Sequence, residues 1–309
     1  MGQEAARAHA HLFDHRRRAP RRAARLRVHF SSMTPSVLLI GGSSPLGRLI
    51  DAELTASGSD VLATSRVGEH SLDVTDRAGV DELFTSASFE SVVYLASPTA
   101  TDPGSSRAHL DALDHVLRRA RDAATRRFVF VSSAAVYGTD ERRPRSESSP
   151  LAGSTPYAML KAGSEKLLVD AAGDEFLGIS LRVFNVWGPG FRRSLINRLL
   201  DATDAPQLQV SESFVRDYIH GADVASAVGA ALALMAPGPL TLNVGTGVGI
   251  SNAALAGLAP PGSFLSAPVG PPTFSVSDPR RAQQVLGWRA AKSVADAFRA
   301  PTAMSDGGD

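Results

Sequence analysis

The sequence has no cysteine, which excludes a disulfide scaffold, a thiolate zinc site, an iron–sulfur cluster and a cysteine nucleophile. It also lacks a long apolar run. The longest, Val224 to Ala236, is about thirteen residues of mostly alanine, too short to span a bilayer. A net charge of +1 points neither to a nucleic-acid binder nor to an acid-rich protein. What is present is ordinary for a folded chain: 43% hydrophobic and 20% charged residues over a length of 309, enough for one large domain or two modest ones.

The near-neutral total hides an asymmetry. Residues 1–32 hold eight arginines and two acids, leaving 24 basic and 29 acidic residues in the rest of the chain, a net charge of −5. The arginine-rich stretch has no apolar core of the signal-peptide kind and no periodic apolar face. It reads as a disordered extension, 1–33, ahead of Met33 and the first convincing strand. It is expected to be dispensable, with no nucleic-acid role.

From Val37 the chain alternates short apolar runs with longer amphipathic stretches. Val37–Ile40, Val61–Thr64, Val92–Leu95, Phe128–Val131 and Ile179–Val183 read as strands, and Leu46–Ser57 and Ser105–Ala123 as helices. Apolar strands without alternation, separated by helices, predict an α/β fold with a doubly wound parallel sheet. After residue 185 the rhythm is less regular. Leu195–Leu200 and Ala222–Met235 look helical, Leu240–Val244 looks like a strand, and Pro260 to Pro272 reads as a loop. This part suits a smaller C-terminal substrate lobe laid over the carboxyl ends of the sheet. The predicted division is 34–185 with 217–246 for dinucleotide binding, 186–216 with 247–300 for substrate, and a tail at 301–309.

The first strand runs into Gly41-Gly42-Ser43-Ser44-Pro45-Leu46-Gly47 and then a helix. A tight turn at a helix amino terminus exposes backbone N–H groups and the positive end of the helix dipole, and both favour a diphosphate. The glycine spacing is met at Gly41 and Gly47, while Ser44 stands at the middle position; the turn alone also fits a plain strand–helix connection. The second strand ends Thr64-Ser65-Arg66, with no acid for a ribose 2′-hydroxyl. Arg66 is either a contact for a 2′-phosphate, which favours NADP over NAD, or a solvated surface residue.

Thr155-Pro156 opens a helix on which Tyr157 and Lys161 share one face. A phenol with a pKa of about 10 is a poor acid–base group at neutral pH, and a nearby ammonium is expected to lower that value. Such a pair can exchange a proton with a sugar hydroxyl or keto oxygen.

Several segments, in order, carry a resemblance: the glycine turn, Ser71–Asp76, Val93–Ser97, Val131–Gly138, Pro156–Lys161, Leu181–Gly190, Arg216–His220, Asn243–Gly247 and Leu286-Gly287-Trp288. From about residue 36 to 288 the chain resembles the extended short-chain dehydrogenase/reductases, the NAD-dependent epimerases and dehydratases that act on nucleotide sugars. The resemblance implies Ser133, Tyr157 and Lys161 as catalytic residues. For the cofactor it implies Gly41, Ser43, Ser44, Pro45, Leu46, Gly47, Arg66, Asp73, Val74, Leu95, Ala96 and Ser97, with Tyr157 and Lys161. For the nucleotide-diphosphate sugar it implies Ser97, Ser133, Asn185 and Arg216. No metal is expected. A cytoplasmic homodimer paired through helices near 105–123 and 157–172 is implied as well.

There are departures from the family pattern. His109 stands where many relatives carry asparagine and reads as a tolerated replacement. Ser133 is followed by Ala134-Ala135, where sugar dehydratases carry an acidic pair, which argues against dehydration. The missing acid after the second strand favours NADP and so a 4-ketoreductase acting on an NDP-4-keto-6-deoxyhexose. The alternatives are an NDP-sugar 4-epimerase with tightly bound NAD and a catalytically silent cofactor-sensing regulator.

Overall fold

Strand β1 (Val37–Ile40) is apolar at every position and buried on both sides: Val37 and Leu39 enter one hydrophobic cluster, Leu38 and Ile40 another. That is the signature of a parallel sheet with helices on both faces. The computed structural model describes residues 37–98, 100–201 and 205–299. The expected extension (1–33) and tail (301–309) lie outside the described residues.

In chain order the elements after β1 are α1 (Pro45–Ala56), β2 (Val61–Thr64), α2 (Arg77–Ser86), β3 (Ser91–Tyr94), α3 (Pro103–Asp122), β4 (Arg127–Ser133), a short 3-10 turn (Ala134–Tyr137), α4 (Pro156–Ala171) and β5 (Leu177–Val183). There follow β6 (Asn185–Trp187), α5 (Leu195–Leu200), β7 (Gln207–Leu208), β8 (Phe214–His220), α6 (Gly221–Leu232), β9 (Leu240–Val244), β10 (Gly249–Ser251), α7 (Asn252–Leu258), β11 (Leu265–Ser266), β12 (Thr273–Ser275), α8 (Arg280–Leu286) and α9 (Val294–Arg299).

The main sheet has the order β2-β1-β3-β4-β5-β9, and every pairing in it is parallel. Ile50 and Leu54 of α1 and Val224 and Val228 of α6 cover one face. Val80 and Leu83 of α2, Leu113 and Leu117 of α3, and Leu168 of α4 cover the other. Each fully buried aliphatic side chain of this kind contributes roughly 1.5–3 kcal/mol. The strand order reverses between β1 and β3, and ligands of open α/β sheets bind outside the carboxyl ends of the strands at such a switch point.

Three helices begin by the same device, a capping oxygen followed by proline. Ser44 Oγ accepts from Gly47 N at 3.0 Å, Asp102 Oδ1 from Ser105 N at 3.0 Å, and Thr155 Oγ1 from Ala158 N at 3.1 Å, with Pro45, Pro103 and Pro156 next in line.

The smaller lobe is built on β8, which pairs with β10, β12 and β6. Its hydrophobic centre is Trp187, Ile196, Leu199, Tyr218, Leu255 and Val294. Asp217, fully buried, ties this sheet to the loops that follow β9 and β12. Its carboxylate accepts from Thr246 N and Oγ1, Gly247 N, and Ser277 N and Oγ. The stretch expected to be a plain loop, Pro260 to Pro272, contains β11, which pairs with β7. At two residues each, these strands are too short for a periodic sequence signal.

Candidate active site

Gly41 leaves β1 with φ +99°, a conformation that suits glycine, and a Cβ there would lie 3.1 Å from the Ala96 nitrogen. A Cβ at Gly47 would lie 2.4 Å from the Gly41 carbonyl oxygen and 2.7 Å from that of Gly42. The start of α1 is therefore pressed against the turn, and only glycine permits it. Ser44, at the middle position of the motif, is the helix cap, and its hydroxyl also donates to the Gly41 carbonyl at 2.9 Å. The serine thus has a local task that a third glycine could not perform.

Outside this turn lies a cleft of about 460 Å³. Its walls bring together Gly41, Ser43, Ser44, Arg66, Asp73, Val74, Leu95, Ala96 and Ser97. Pro45, Leu46 and Gly47 form the first turn of α1 beneath it. The Asp73 carboxylate accepts from Thr75 N at 3.0 Å and from Thr75 Oγ1 at 2.7 Å, and these bonds hold its pKa below the usual carboxylate value. Ser65 closes a short turn after β2 by donating to the Val67 carbonyl at 2.5 Å, and Arg66 stands exposed on that turn at the rim.

A second cavity, of about 300 Å³, is walled by Ser133, Asn185 and Arg216 together with Thr139, Asp140, Ser154, Phe184 and Ser275. The expected substrate residues Ser133, Asn185 and Arg216 meet here, while Ser97 lines only the first cleft. Arg216 donates to the Val215 carbonyl at 2.8 Å, and its guanidinium stacks 4.1 Å from the Phe214 ring. The amide of Asn185 donates to the Asp217 carbonyl at 2.9 Å, which fixes its orientation.

Tyr157 and Lys161 lie on the first turns of α4. Tyr157 is 39% exposed, and the Ser133 hydroxyl, in the wall of the second cavity, is near enough to act on its phenol. Lys161 is only 4% exposed. It donates to the Val131 carbonyl at 2.9 Å and lies 4.7 Å from the Phe130 ring and 5.8 Å from the Tyr157 ring. An ammonium has three donors, so two remain available to a ligand. Burial brings the Lys161 pKa down to about 8, with the Glu165 carboxylate acting against it.

The expectation that Lys161 lowers the pKa of Tyr157 is not met. Burial raises it above the ordinary phenol value by desolvating the phenolate, and the opposing influence is the Ser133 hydroxyl.

Two neighbours complete the surroundings: His109, which stands where the resemblance puts an asparagine, and Glu165, which the sequence does not single out. His109 lines the first cleft beside the lysine; burial, and then the Lys161 charge, push its pKa down to about 4. Glu165, one turn after Lys161, forms a buried pair with Arg182 of β5 through bonds of 2.7 to 3.1 Å and accepts from Ser132 Oγ. Repetition of the four-residue spacing from Tyr157 to Lys161 to Glu165 was the one available cue. Another cavity, of about 1260 Å³, opens at the opposite end of the sheet among Arg118, Arg121, Arg126 and Glu175, away from all these groups.

A profile of the NAD dependent epimerase/dehydratase family matches residues 37–245. A UDP-glucose 4-epimerase of Bacillus subtilis is 27% identical over 85% of this chain and 96% of its own length. The crystal structure of MoeE5 in complex with UDP-glucuronic acid and NAD superposes with a TM-score of 0.72 and 26% identity, covering 85% of this chain and 96% of that one. The same protein is also known with UDP-glucose and NAD. A UDP-glucose 4-epimerase from Stenotrophomonas maltophila, at 24% identity and a TM-score of 0.74, covers 86% of this chain and 96% of its own and shares the fold.

Proposed function

Since the chain belongs to the NAD dependent epimerase/dehydratase family, we propose that it is a nucleotide-sugar 4-epimerase working on a UDP-hexose with a bound nicotinamide dinucleotide. The observation that carries this reading is the placing of Tyr157 and Lys161 at the start of α4, with the Ser133 hydroxyl acting on the phenol from the wall of a cavity that also holds an arginine and an asparagine. The relatives support epimerisation over the 4-ketoreductase that the end of β2 suggests.

The residues present fit a dinucleotide. The close approach enforced at Gly41 and Gly47 leaves backbone N–H groups and the α1 dipole for the diphosphate. Asp73 and Val74 would border the adenosine, and the two free donors of Lys161 would hold the nicotinamide ribose. When bound, that group accepts a hydride from the sugar and returns it.

The chain's own residues do the rest. Ser133 holds the C4 oxygen of the sugar, and Tyr157 Oη takes the hydroxyl proton and later gives it back. Lys161 keeps a positive charge beside the phenolate. Arg216 and Asn185 grip the diphosphate; the stacking on Phe214 fixes the guanidinium in advance, leaving other N–H groups for phosphate oxygens. Ala134 and Ala135 offer no acid to expel water, so the cycle ends in inversion at C4. The division into a nucleotide lobe (34–185, 217–246) and a substrate lobe (186–216, 247–300) belongs to this reading. So does a homodimer through α3 and α4, where Met159 and Val169 are exposed. No helix of the described residues is long and apolar enough to cross a membrane.

The second reading, the 4-ketoreductase, rests on Arg66 and on the absence of a carboxylate at the end of β2. The purified protein should convert UDP-galactose to UDP-glucose with substoichiometric NAD. Stoichiometric NADPH consumption with an NDP-4-keto-hexose, and no C4 epimer from UDP-galactose, would establish the second reading. Cofactor binding without turnover of either sugar would leave a sensor.

A further inference from the structure

Two charged residues line the second cavity, Arg216 and Asp140; its other walls are hydroxyls, an amide and small or apolar side chains. Arg216 faces the diphosphate in the epimerase reading. Asp140 is the charged group left for the sugar; it stands exposed at the rim of the cavity, on the loop that leaves the 3-10 turn capped by Ser133. That loop is held. Gly138 N donates to the Ala135 carbonyl at 3.1 Å, and Phe274 N donates to the Thr139 carbonyl at 2.9 Å. Gly138 itself turns with φ +71°, beside Ala152. Arg145, further along, is buried and paired with Glu141 at 2.6 Å. Arg142 and Arg143 are exposed and outside the cavity wall.

We propose that Asp140 sets the substrate class of this site, admitting hexoses that are uncharged at C6 and excluding hexuronates. The inference rests on the epimerase reading and deepens it. A C6 hydroxyl can donate to the Asp140 carboxylate. A C6 carboxylate would meet a like charge, with no cation in the wall beyond the one that faces the diphosphate. A desolvated carboxylate without a partner binds poorly, and like charges opposed across an interface are a means of rejecting wrong ligands. The relatives leave the question open, since MoeE5 is known with both UDP-glucose and UDP-glucuronic acid.

The test uses the full chain with NAD. Epimerisation of UDP-glucose and of UDP-glucuronate is compared, and binding of both is followed by calorimetry, for the native protein and for Asp140→Asn and Asp140→Ser. The native protein should prefer the neutral sugar by about 100-fold in kcat/KM, and both variants should narrow that gap about tenfold, through uronate KM and binding. Equal use of the two sugars by the native protein overturns the proposal, as does a gap that survives in both variants. Discrimination in binding without turnover of either sugar keeps Asp140 and removes the epimerase reading. Turnover of the neutral sugar with equal binding of the uronate does the reverse.

Discussion

Tyr157 and Lys161 stand one helical turn apart, and burial drives their pKa values apart, the phenol upward from its ordinary value and the ammonium down to about 8. By itself the chain therefore holds the phenol neutral at pH 7 while the lysine stays largely charged, and phenolate has to be made with the help of a positive charge arriving with the ligand. In the ligand-free protein the difference spectrum between the native chain and Tyr157→Phe should show no phenolate below about pH 10. Saturating NAD should bring the phenolate signal down by more than one pH unit. Phenolate absorbance near neutral pH without cofactor would refute this account.

The same burial has a stability consequence. Lys161 has a folded-state pKa below its ordinary 10.5, so from about 8 to 10.5 the unfolded chain binds more protons than the folded one. Its contribution to stability therefore rises with pH across that window. Below about 8 the buried charge burdens the fold by roughly 3 kcal/mol. Lys161→Met should unfold at higher urea than the native chain at pH 7, with the advantage shrinking toward pH 9.

Glu165 and Arg182 lie behind that lysine, 4% and 5% exposed, and Arg182 also donates to Tyr137 Oη at 2.8 Å. Removing one partner leaves the other charge buried and unpaired, a loss of about 3–5 kcal/mol. Glu165→Gln should lower stability by that order in urea denaturation. It should also lower the Lys161 pKa further, because the carboxylate now holds it up. The double variant Glu165→Gln/Arg182→Met should recover most of the stability but not the lysine pKa.

Gly47→Ala tests the glycine turn. The added methyl would meet two backbone oxygens, which cannot yield as a flexible side chain can. Dinucleotide affinity should fall by more than about tenfold, while far-ultraviolet dichroism stays native. Ser44→Ala should instead act on stability, by about 1 kcal/mol, through the lost helix cap.

The sequence was readable where structure is local. β1, the glycine turn and the capped starts of α1 and α4 each lie within a few consecutive residues, and their apolar pattern and capping chemistry placed Gly41, Gly47, Tyr157 and Lys161 correctly on strand end and helix. Arg216 was harder. Asp217 beside it and Asp223 a few residues on are near in sequence, yet Asp217 is taken up by Thr246, Gly247 and Ser277, and Asp223 accepts from Lys292 N, so the guanidinium stacks on Phe214 instead. Asp140 and Ser275 reach the second cavity through the pairing of the 139–145 loop with β12 and the segment after it, contacts that span more than a hundred residues and leave no periodic trace. The pKa of Tyr157 is hidden from the sequence for a similar reason. Spacing shows the ammonium, while the burial that raises the phenol is a property of the folded whole.

Arg66 is the residue on which the NADP reading raised by the end of β2 can be tested. Its turn is pinned by Ser65, and Leu72 N donates to the Ser65 carbonyl at 2.7 Å, so the guanidinium is carried on a short, bonded loop at the rim of the cleft. Asp73, a carboxylate in that wall, has Thr75 on one of its oxygens and lies close enough to Arg66 to feel its charge. A 2′-phosphate would find a cation there, whereas a 2′-hydroxyl would find no acceptor on β2. The native chain should therefore bind NADP at least as tightly as NAD, and Arg66→Ala should weaken NADP about tenfold or more with little change for NAD. A native preference for NAD that Arg66→Ala leaves untouched would show that the guanidinium faces solvent, and would remove the main support for the ketoreductase alternative.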